Sequence, residues 1–332
     1  MGHQHKLFSA ISTGDIETIK RLYEAGEANL NEADPVGNTP LSKAVKLGSP
    51  EVIATLHECG ADFNVADDNG ETPAHYAANS WDPEVVTAVR DAGGNFTTVD
   101  NSGMTPAHVA AQSGDPEVIF AVREAGGDFS VADKYQRTPA HLVATSGRPY
   151  GGDSYNKYAA AAVNAVREAG GDFAVATDTG VTPAHFAASS NGTPEVIAAI
   201  AANGGDFSVS DENGWTPAHE AADFGNSEVI AAVLEHGGDF SVANEAGYTP
   251  IDVAEFRGDE KVIEAVRKAE AISRKRNKMT NGERHKLEEA ERQKARESLR
   301  AETQKSVEEN DPAPDLDPDA YKKPDDGHQG PK

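Results

Sequence analysis

The chain has 332 residues, a net charge of −25 and a single cysteine, Cys59. One cysteine excludes an intramolecular disulfide framework and favours a reducing compartment, so we expect a cytoplasmic protein. The N-terminal residues contain no apolar run typical of a signal peptide, and no segment is long and apolar enough to predict a membrane-spanning helix.

The negative charge is unevenly distributed along the chain. Residues 273–332 contain 14 Lys and Arg and 14 Asp and Glu, so the whole acidic excess falls on residues 1–272. Such a surface repels nucleic acid and anionic membranes and favours a partner protein with a basic surface. Two other interpretations stay open. The acidity only keeps the protein soluble, or the chain is a decoy that occupies a nucleic-acid-binding protein by charge mimicry.

A tetrapeptide recurs at a nearly constant spacing. Thr-Pro-Ala-His begins at Thr72, Thr105, Thr138, Thr182 and Thr216, and degenerate forms begin at Thr39 and Thr249. Successive Thr residues are 33 positions apart, except for one step of 44 and one of 34. A fixed period of this length predicts a solenoid of repeated supersecondary units.

Each period contains the same predicted elements in the same order. Asp100–Met104 predicts a turn, after which Thr105 is an N-cap and the following Pro opens a short Ala-rich helix. Asp-Pro-Glu at 115–117 starts a second helix. That helix ends at Gly126, which suits a left-handed C′ position, and an extended Asp-Phe-Ser-Val segment leads to the next turn.

This pattern resembles the ankyrin repeat, in which Thr-Pro-Leu-His stands where this chain has Thr-Pro-Ala-His. The resemblance implies a mostly α-helical solenoid: β-hairpin turns project from one edge, first helices line a concave face and second helices form the convex back. It also implies that a partner protein binds the turns and the concave face, and that the array is a monomer. Departures from the family are regular, since Ala follows Pro and Gly-Gly-Asp-Phe replaces Gly-Ala-Asp-Val.

The spacing divides the array into units over residues 5–272. A first cap covers 5–34, six units follow, and a final cap covers 245–272. The six units are 35–67, 68–100, 101–133, 134–177, 178–211 and 212–244, and the unit at 134–177, the fifth when the first cap is counted, carries an 11-residue insertion.

No motif in the chain predicts catalysis, a cofactor or a metal. Equivalent histidines on stacked helices are about 8–10 Å apart, whereas zinc ligands lie about 2 Å from the ion. The resemblance instead implies that each His bonds the capping Thr and links neighbouring units. The Asp-rich turns lack the ligand spacing of a calcium loop, and phosphate-binding loops, nucleophile elbows and metalloprotease motifs are absent from the sequence. We therefore predict a non-enzymatic protein.

The unit at 134–177 departs twice from the repeat. Gln136 stands where every other full unit has Gly, and it costs about 1 kcal/mol if that position requires positive φ. The insertion lies within residues 147–159 and carries Arg148, Tyr150, Tyr155 and Tyr158. Because Tyr and Arg are enriched at binding hot spots, these four residues are candidates for partner contact. A neutral surface insertion is the alternative.

Large residues at the turns give a second group of candidates. Trp215 and Tyr248 directly precede a capping Thr, where an exposed aromatic has no core to fill, and Phe224 ends a first helix. We predict that one face grips a protein ligand through Tyr135, Arg137, Trp215, Phe224 and Tyr248. The alternative for Trp215 is packing onto the next unit, and we expect Trp81 to pack against an adjacent loop.

The composition changes after Ala271. A basic run at 274–278 is typical of a helix C-terminus. A charged segment at 273–310 is predicted to be partly helical, and the Pro-rich acidic residues 311–332 are predicted to be disordered. Ankyrin arrays with charged tails resemble proteins that intracellular bacteria deliver into host cells, and the Glu-rich tail is similar to acidic C-terminal secretion signals. This resemblance implies an effector acting in the host-cell cytoplasm.

Overall fold

The computed structural model describes residues 2–34, 37–146, 152–189, 192–279 and 283, and within the helix 152–168 it describes side chains from Tyr158 onward. These residues form sixteen helices in consecutive pairs. The helices are α1 (His3–Thr13), α2 (Ile16–Glu24), α3 (Pro40–Lys46), α4 (Pro50–Glu58), α5 (Pro73–Ala78), α6 (Pro83–Asp91), α7 (Pro106–Ser113), α8 (Pro116–Glu124), α9 (Pro139–Val143), α10 (Gly152–Glu168), α11 (Pro183–Ala188), α12 (Pro194–Ala202), α13 (Pro217–Phe224), α14 (Ser227–Glu235), α15 (Pro250–Arg257) and α16 (Glu260–Lys278). The tail residues 280–282 and 284–332 lie outside the description.

The pairs stack in two layers. Odd-numbered helices from α1 to α15 pack against one another in order, and so do the even-numbered helices from α2 to α14. We call these the first-helix layer and the second-helix layer. The exposed sides of the first helices, together with the turns that precede them, form what we call the inner face. None of the helices in the described part of the chain combines the length and apolarity required to cross a membrane.

The helix boundaries follow the predicted signals. Thr105 caps α7 and Pro106 occupies its first turn, while the Asp115 carboxylate accepts hydrogen bonds from the backbone of Glu117 and Val118 at the start of α8. After α8, Gly126 has a φ of 90°. A Cβ on the next residue, Gly127, would lie 2.6 Å from a Val122 methyl carbon, which explains why a second Gly follows the first.

The core runs continuously through the layers. Ala residues of the first helices and Phe residues of the Gly-Gly-Asp-Phe segments are both buried, so the two regular departures from the family occupy the same interior. Each second helix adds apolar residues such as Val118, Ile119 and Val122, all fully buried. Burial of one such side chain stabilises the fold by about 1.5–3 kcal/mol. Cys59 is also buried.

The turns differ from the β-hairpins that the resemblance implied, because the described residues contain no strand. Each turn is closed by a pair of backbone bonds, such as the one from Asp100 N–H to the Met104 carbonyl, and is too short for a ladder. Neighbouring turns are joined by single bonds, for example from Lys134 N–H to the Ser102 carbonyl. The Asp100 carboxylate also accepts from the backbone N–H of Ser102 and Met104, which accounts for the Asp in the motif.

The last helix extends past the final cap, which was expected to end at 272. α16 continues to Lys278, and its last turn carries the basic residues Lys275 and Arg276, in agreement with the basic run at 274–278 as a helix C-terminus. The buried Ser273 Oγ accepts a hydrogen bond of 3.1 Å from the Phe240 backbone N–H. This bond fastens α16 to the preceding unit.

Candidate functional site

Five histidines connect successive units in the way the sequence suggested. In the first of them, His75 Nδ1 accepts from the Thr72 backbone N–H at 3.1 Å. The other ring nitrogen of each His lies 3.0–3.2 Å from a carbonyl oxygen of the next unit. The residues that provide these carbonyl groups are Met104, Arg137, Val181, Trp215 and Tyr248. Because Nδ1 is an acceptor, Nε2 carries the proton and donates to the carbonyl.

Burial favours the neutral form of four of these histidines. Burial lowers the pKa of His141 to about 4, and burial also lowers the pKa of His108, His185 and His219. A neutral ring can accept at one nitrogen and donate at the other, as the bonding requires. Among the described residues no group of three or more His, Cys, Asp or Glu could hold a metal ion.

The family model 'Ankyrin repeats (3 copies)' matches four overlapping stretches of the chain, residues 7–100, 43–133, 156–244 and 184–276. The chain belongs to the ankyrin repeat family. Ankyrin repeats generally mediate protein–protein interaction and are non-catalytic scaffolds. No curated protein matches the chain significantly.

Tyr135 and Arg137 form the first cluster of the ankyrin array's predicted contact residues. The Tyr135 side chain is 68% exposed, and the Arg137 guanidinium carbon lies 5.0 Å from the centre of its ring. Arg137 also forms a 2.7 Å ion pair with the buried carboxylate of Asp133. Burial raises the pKa of Asp133, but the hydrogen bonds from Arg137 and from the backbone of Tyr135 outweigh it and hold the pKa below its usual range. The cluster is therefore rigid and presents one tyrosine ring to solvent.

Trp215 is less exposed than its position suggested. Its ring lies on His219, with ring centroids 5.0 Å apart, and its side chain lies beside the Glu220 carboxylate at the start of α13. The indole packs against the core and is half-buried. Trp215 thus folds back onto the first helix of its own unit, α13, because that helix provides a stacking surface.

Phe224 and Tyr248 form the exposed part of the second cluster. Phe224 is 47% exposed and Tyr248 is 59% exposed. The Arg257 guanidinium carbon lies 5.0 Å from the centre of the Phe224 ring, and Arg257 Nε pairs with the Asp223 carboxylate at 2.5 Å. The side chains on α13 and α15 are therefore linked across the boundary between two units.

The insertion extends a helix instead of forming only a loop. α10 has 17 residues where α8 has 9, and the added turns lie at its N-terminal end. The Tyr158 side chain lies beside the Asp115 carboxylate, and burial together with this carboxylate raises the pKa of Tyr158 to about 12. Its hydroxyl is thus used within the array. Arg148 and Tyr150 lie outside the described residues, as does the side chain of Tyr155.

The predicted contact residues share one row but fall into two clusters. Arg137, Trp215 and Tyr248 occupy the same place in their units, immediately before a capping Thr, and each offers its carbonyl to a histidine. Val181 has this place in the unit between them. Tyr135 and Arg137 are thereby separated from Trp215, Phe224 and Tyr248 by one unit.

Sequence reasoning missed two residues of the second cluster. Phe256 is 92% exposed and stands seven positions after Thr249, where the other units have polar residues. Glu220 stands four positions after Thr216, where the central and last units have apolar or aromatic residues. Burial, followed by the nearby carboxylates of Asp223 and Asp211, raises the pKa of Glu220 to about 7. A comparison of these two positions across the repeats would have revealed both residues.

Proposed function

We propose that this protein is a scaffold that binds a partner protein with a basic surface through the inner face of its array. The observation that carries the proposal is the exposure of Tyr135 and Tyr248 at turns whose backbone is fixed by hydrogen bonds. Exposed aromatic rings on a rigid backbone lose little conformational entropy on binding, so they are suitable hot spots.

The contact surface of this proposal has three parts. The first is Tyr135 with Arg137, and the second is the row of Trp215, Phe224 and Tyr248. The third is the insertion, in which Arg148, Tyr150 and Tyr155 are predicted contacts, while Tyr158 supports the helix through Asp115. The acidic excess of residues 1–272 favours a basic partner over all three parts. The chain is proposed to act as a monomer.

Affinity capture with matched variants tests the proposal. The double variant Tyr135→Ser/Tyr248→Ser removes both exposed rings, and Tyr23→Ser removes an exposed Tyr from the second-helix layer as a control. We expect the same partner with the intact chain and with Tyr23→Ser, and its loss with the double variant. A chain lacking residues 148–157 keeps Tyr158 and measures the contribution of the insertion. Capture that is unchanged by the double variant contradicts the proposal.

The acidic decoy is the second candidate function, favoured by the net charge of −25. Charge mimicry relies on many screened interactions, so its affinity falls steeply between about 50 and 500 mM salt. An interface anchored by aromatic residues loses much less. A salt titration of the captured complex separates the two functions.

Delivery into a host cell is proposed only from the tail. Glu288, Glu289, Glu291, Glu308 and Glu309 give the acidic character on which the resemblance to effectors rests. A reporter fused in front of residues 273–332 should enter the host cell, and its retention in the bacterium contradicts an effector role.

A further inference from the structure

Three aromatic side chains of the array lie beside both an acid and a cation of the same chain. The Lys46 ammonium is 4.0 Å from the centre of the Tyr76 ring, whose hydroxyl donates to the Asp67 carboxylate. Tyr135 has Arg137, which pairs with Asp133. Phe224 has Arg257, which pairs with Asp223. An acid, an aromatic ring and a cation therefore recur together at three places.

A fourth aromatic–acid pair has no such cation. Trp215 directly precedes the cap of α13 and Glu220 is its fourth residue, positions whose side chains lie side by side at the start of a helix. Within the described part of the chain, no Lys or Arg is within ion-pair distance of Glu220, and the two charges that raise its pKa, on Asp223 and Asp211, are negative. Because Arg257 forms an ion pair with Asp223 and a cation–π contact with Phe224, it does not act as the counter-ion of Glu220.

The surface around this pair is apolar and exposed. Phe224 lies one helical turn after Glu220 on α13, Tyr248 lies in the next turn, where its carbonyl is bonded by His219, and Phe256 on α15 is almost entirely exposed. The positions four and seven after a capping Thr lie on the same side of a first helix. Glu220 and Phe256 hold these positions in adjacent units, so both belong to the inner face.

We propose that Trp215 and Glu220 bind an arginine side chain of the partner protein, and that Phe224, Tyr248 and Phe256 contact apolar residues on either side of that arginine. The inference rests on the proposed function and specifies the chemistry of the partner. An arginine fits because a planar guanidinium can stack on an indole and bond a carboxylate in two places. A lysine supplies only a point charge, and an acidic or neutral segment leaves Glu220 without a counter-ion.

The protonation of Glu220 gives this binding a pH signature. Its pKa of about 7 means that the free protein holds the carboxyl group partly protonated at neutral pH. An arginine binds the ionised form, so its apparent affinity should rise about tenfold between pH 6 and pH 8. The charged groups that act on Glu220 are Asp223 and Asp211, His219 precedes it on α13, and the helices packed against α13 carry His185 on α11 and Glu255 and Arg257 on α15. Burial lowers the pKa of both histidines and so favours their neutral form, and Arg257 and Glu255 are each paired.

A phage-displayed library of random 16-residue peptides, selected on the intact chain, tests the inference. We expect enriched peptides to share an arginine flanked by apolar residues. Synthetic copies are then titrated by fluorescence anisotropy against the wild type, Glu220→Gln, Phe256→Ser and the control Glu212→Gln, whose Glu lies exposed in a turn. Glu220→Gln should weaken binding at least tenfold at pH 8 and abolish the pH dependence, whereas the control should change neither.

Each other outcome has a defined meaning. Peptides that bind without an arginine, or that bind Glu220→Gln as well as the wild type, overturn this inference and leave the proposed function standing. A library that yields no binder to the intact chain counts against the proposed function itself. Dimers of the chain that disappear in Glu220→Gln, measured by sedimentation velocity, assign the surface to a second copy and overturn the inference as well.

Discussion

His219 Nε2 donates to the carbonyl oxygen of Tyr248 over 3.0 Å, and the Tyr248 side chain is one of the exposed aromatics of the inner face. The histidine therefore fixes the backbone from which a predicted contact residue projects. His108 does the same for Arg137, and His185 for Trp215. The residues that build the array thus also position the residues proposed to bind the partner.

The buried histidines should make the array unstable to acid. Well above pH 6.5 a histidine such as His141 is neutral in both the folded and the unfolded chain and has no effect on the pH dependence of stability. As the pH falls through 6.5 the unfolded chain binds protons while His141, with a folded pKa of about 4, does not, so stability falls as the pH decreases towards 4. We expect His141 to reduce the free energy of unfolding by about 1 kcal/mol at pH 5.5 relative to pH 7.5.

Urea unfolding at the two pH values measures this effect. The variant His141→Asn starts less stable because it loses the bond to the Val181 carbonyl, but it should lose less stability on acidification than the wild type. Equal losses in the two proteins would show that His141 does not contribute to the acid sensitivity.

Replacement of Gln136 by Gly should stabilise the protein. Gln136 has a φ of 60°, and the equivalent Gly103 and Gly247 have φ values of 81° and 85°. A side chain in this region costs about 1 kcal/mol, so Gln136→Gly should raise the free energy of unfolding by that amount. The matched control is Gly247→Gln, where an added Cβ meets no atom within 4 Å. It should destabilise by a similar amount, and a stabilising effect of Gly247→Gln would contradict the explanation.

The local features of the repeat could be read from the sequence, whereas features that depend on distant residues could not. Caps and turns involve residues a few positions apart, so the period exposes them, and the histidine bonds were implied by the resemblance to the ankyrin repeat. The half-buried position of Trp215 depends on its contacts with His219 and Glu220, which the turn position alone does not predict. The start of α10 was also missed, since this helix lacks the Pro that marks the start of α8.

Trp81 and Glu220 are two further residues whose surroundings could not be predicted from the sequence. Trp81 stands where Gly114 has a φ of 74°, and Trp81 itself has a φ of 59° and is 46% exposed, while its packing against an adjacent loop stays a prediction. Nothing in the surrounding structure explains a Trp there. Glu220 could be recognised as a candidate site residue only from the structure, because its raised pKa results from burial and from two nearby carboxylates.

Loss of the Tyr158 hydroxyl should destabilise the inserted unit. That hydroxyl is adjacent to the Asp115 carboxylate, which is buried and also caps α8. In Tyr158→Phe the buried carboxylate loses this polar neighbour, and we expect a loss of about 1–2 kcal/mol in thermal or urea unfolding. Tyr135→Phe removes a hydroxyl from an exposed ring and should have almost no effect. If both variants unfold like the wild type, Tyr158 has no supporting role and its hydroxyl is available to a partner.

Glu220 should lower the stability of the free protein at the pH where we propose that it binds. Its folded pKa of about 7 lies above its ordinary value of 4.5, so the folded chain binds the extra proton between these values. Stability attributable to this group is therefore complete below about pH 4.5, falls as the pH rises, and is lowest above about 7. Glu220→Gln, which resembles the protonated form, should be more stable than the wild type by about 1–3 kcal/mol at pH 8 and nearly equal to it at pH 4.5.

Chemical unfolding at pH 8 and pH 4.5 separates this effect from a simple change in packing. A packing effect would shift both measurements equally, and that outcome would contradict the raised pKa as its cause. Glu212→Gln serves as the control because it removes one exposed carboxylate and should leave stability unchanged at either pH. If Glu220→Gln is more stable than the wild type but binds arginine peptides more weakly, then Glu220 lowers the free energy of unfolding and strengthens binding. This combination is expected when a charge is retained for binding and not for folding.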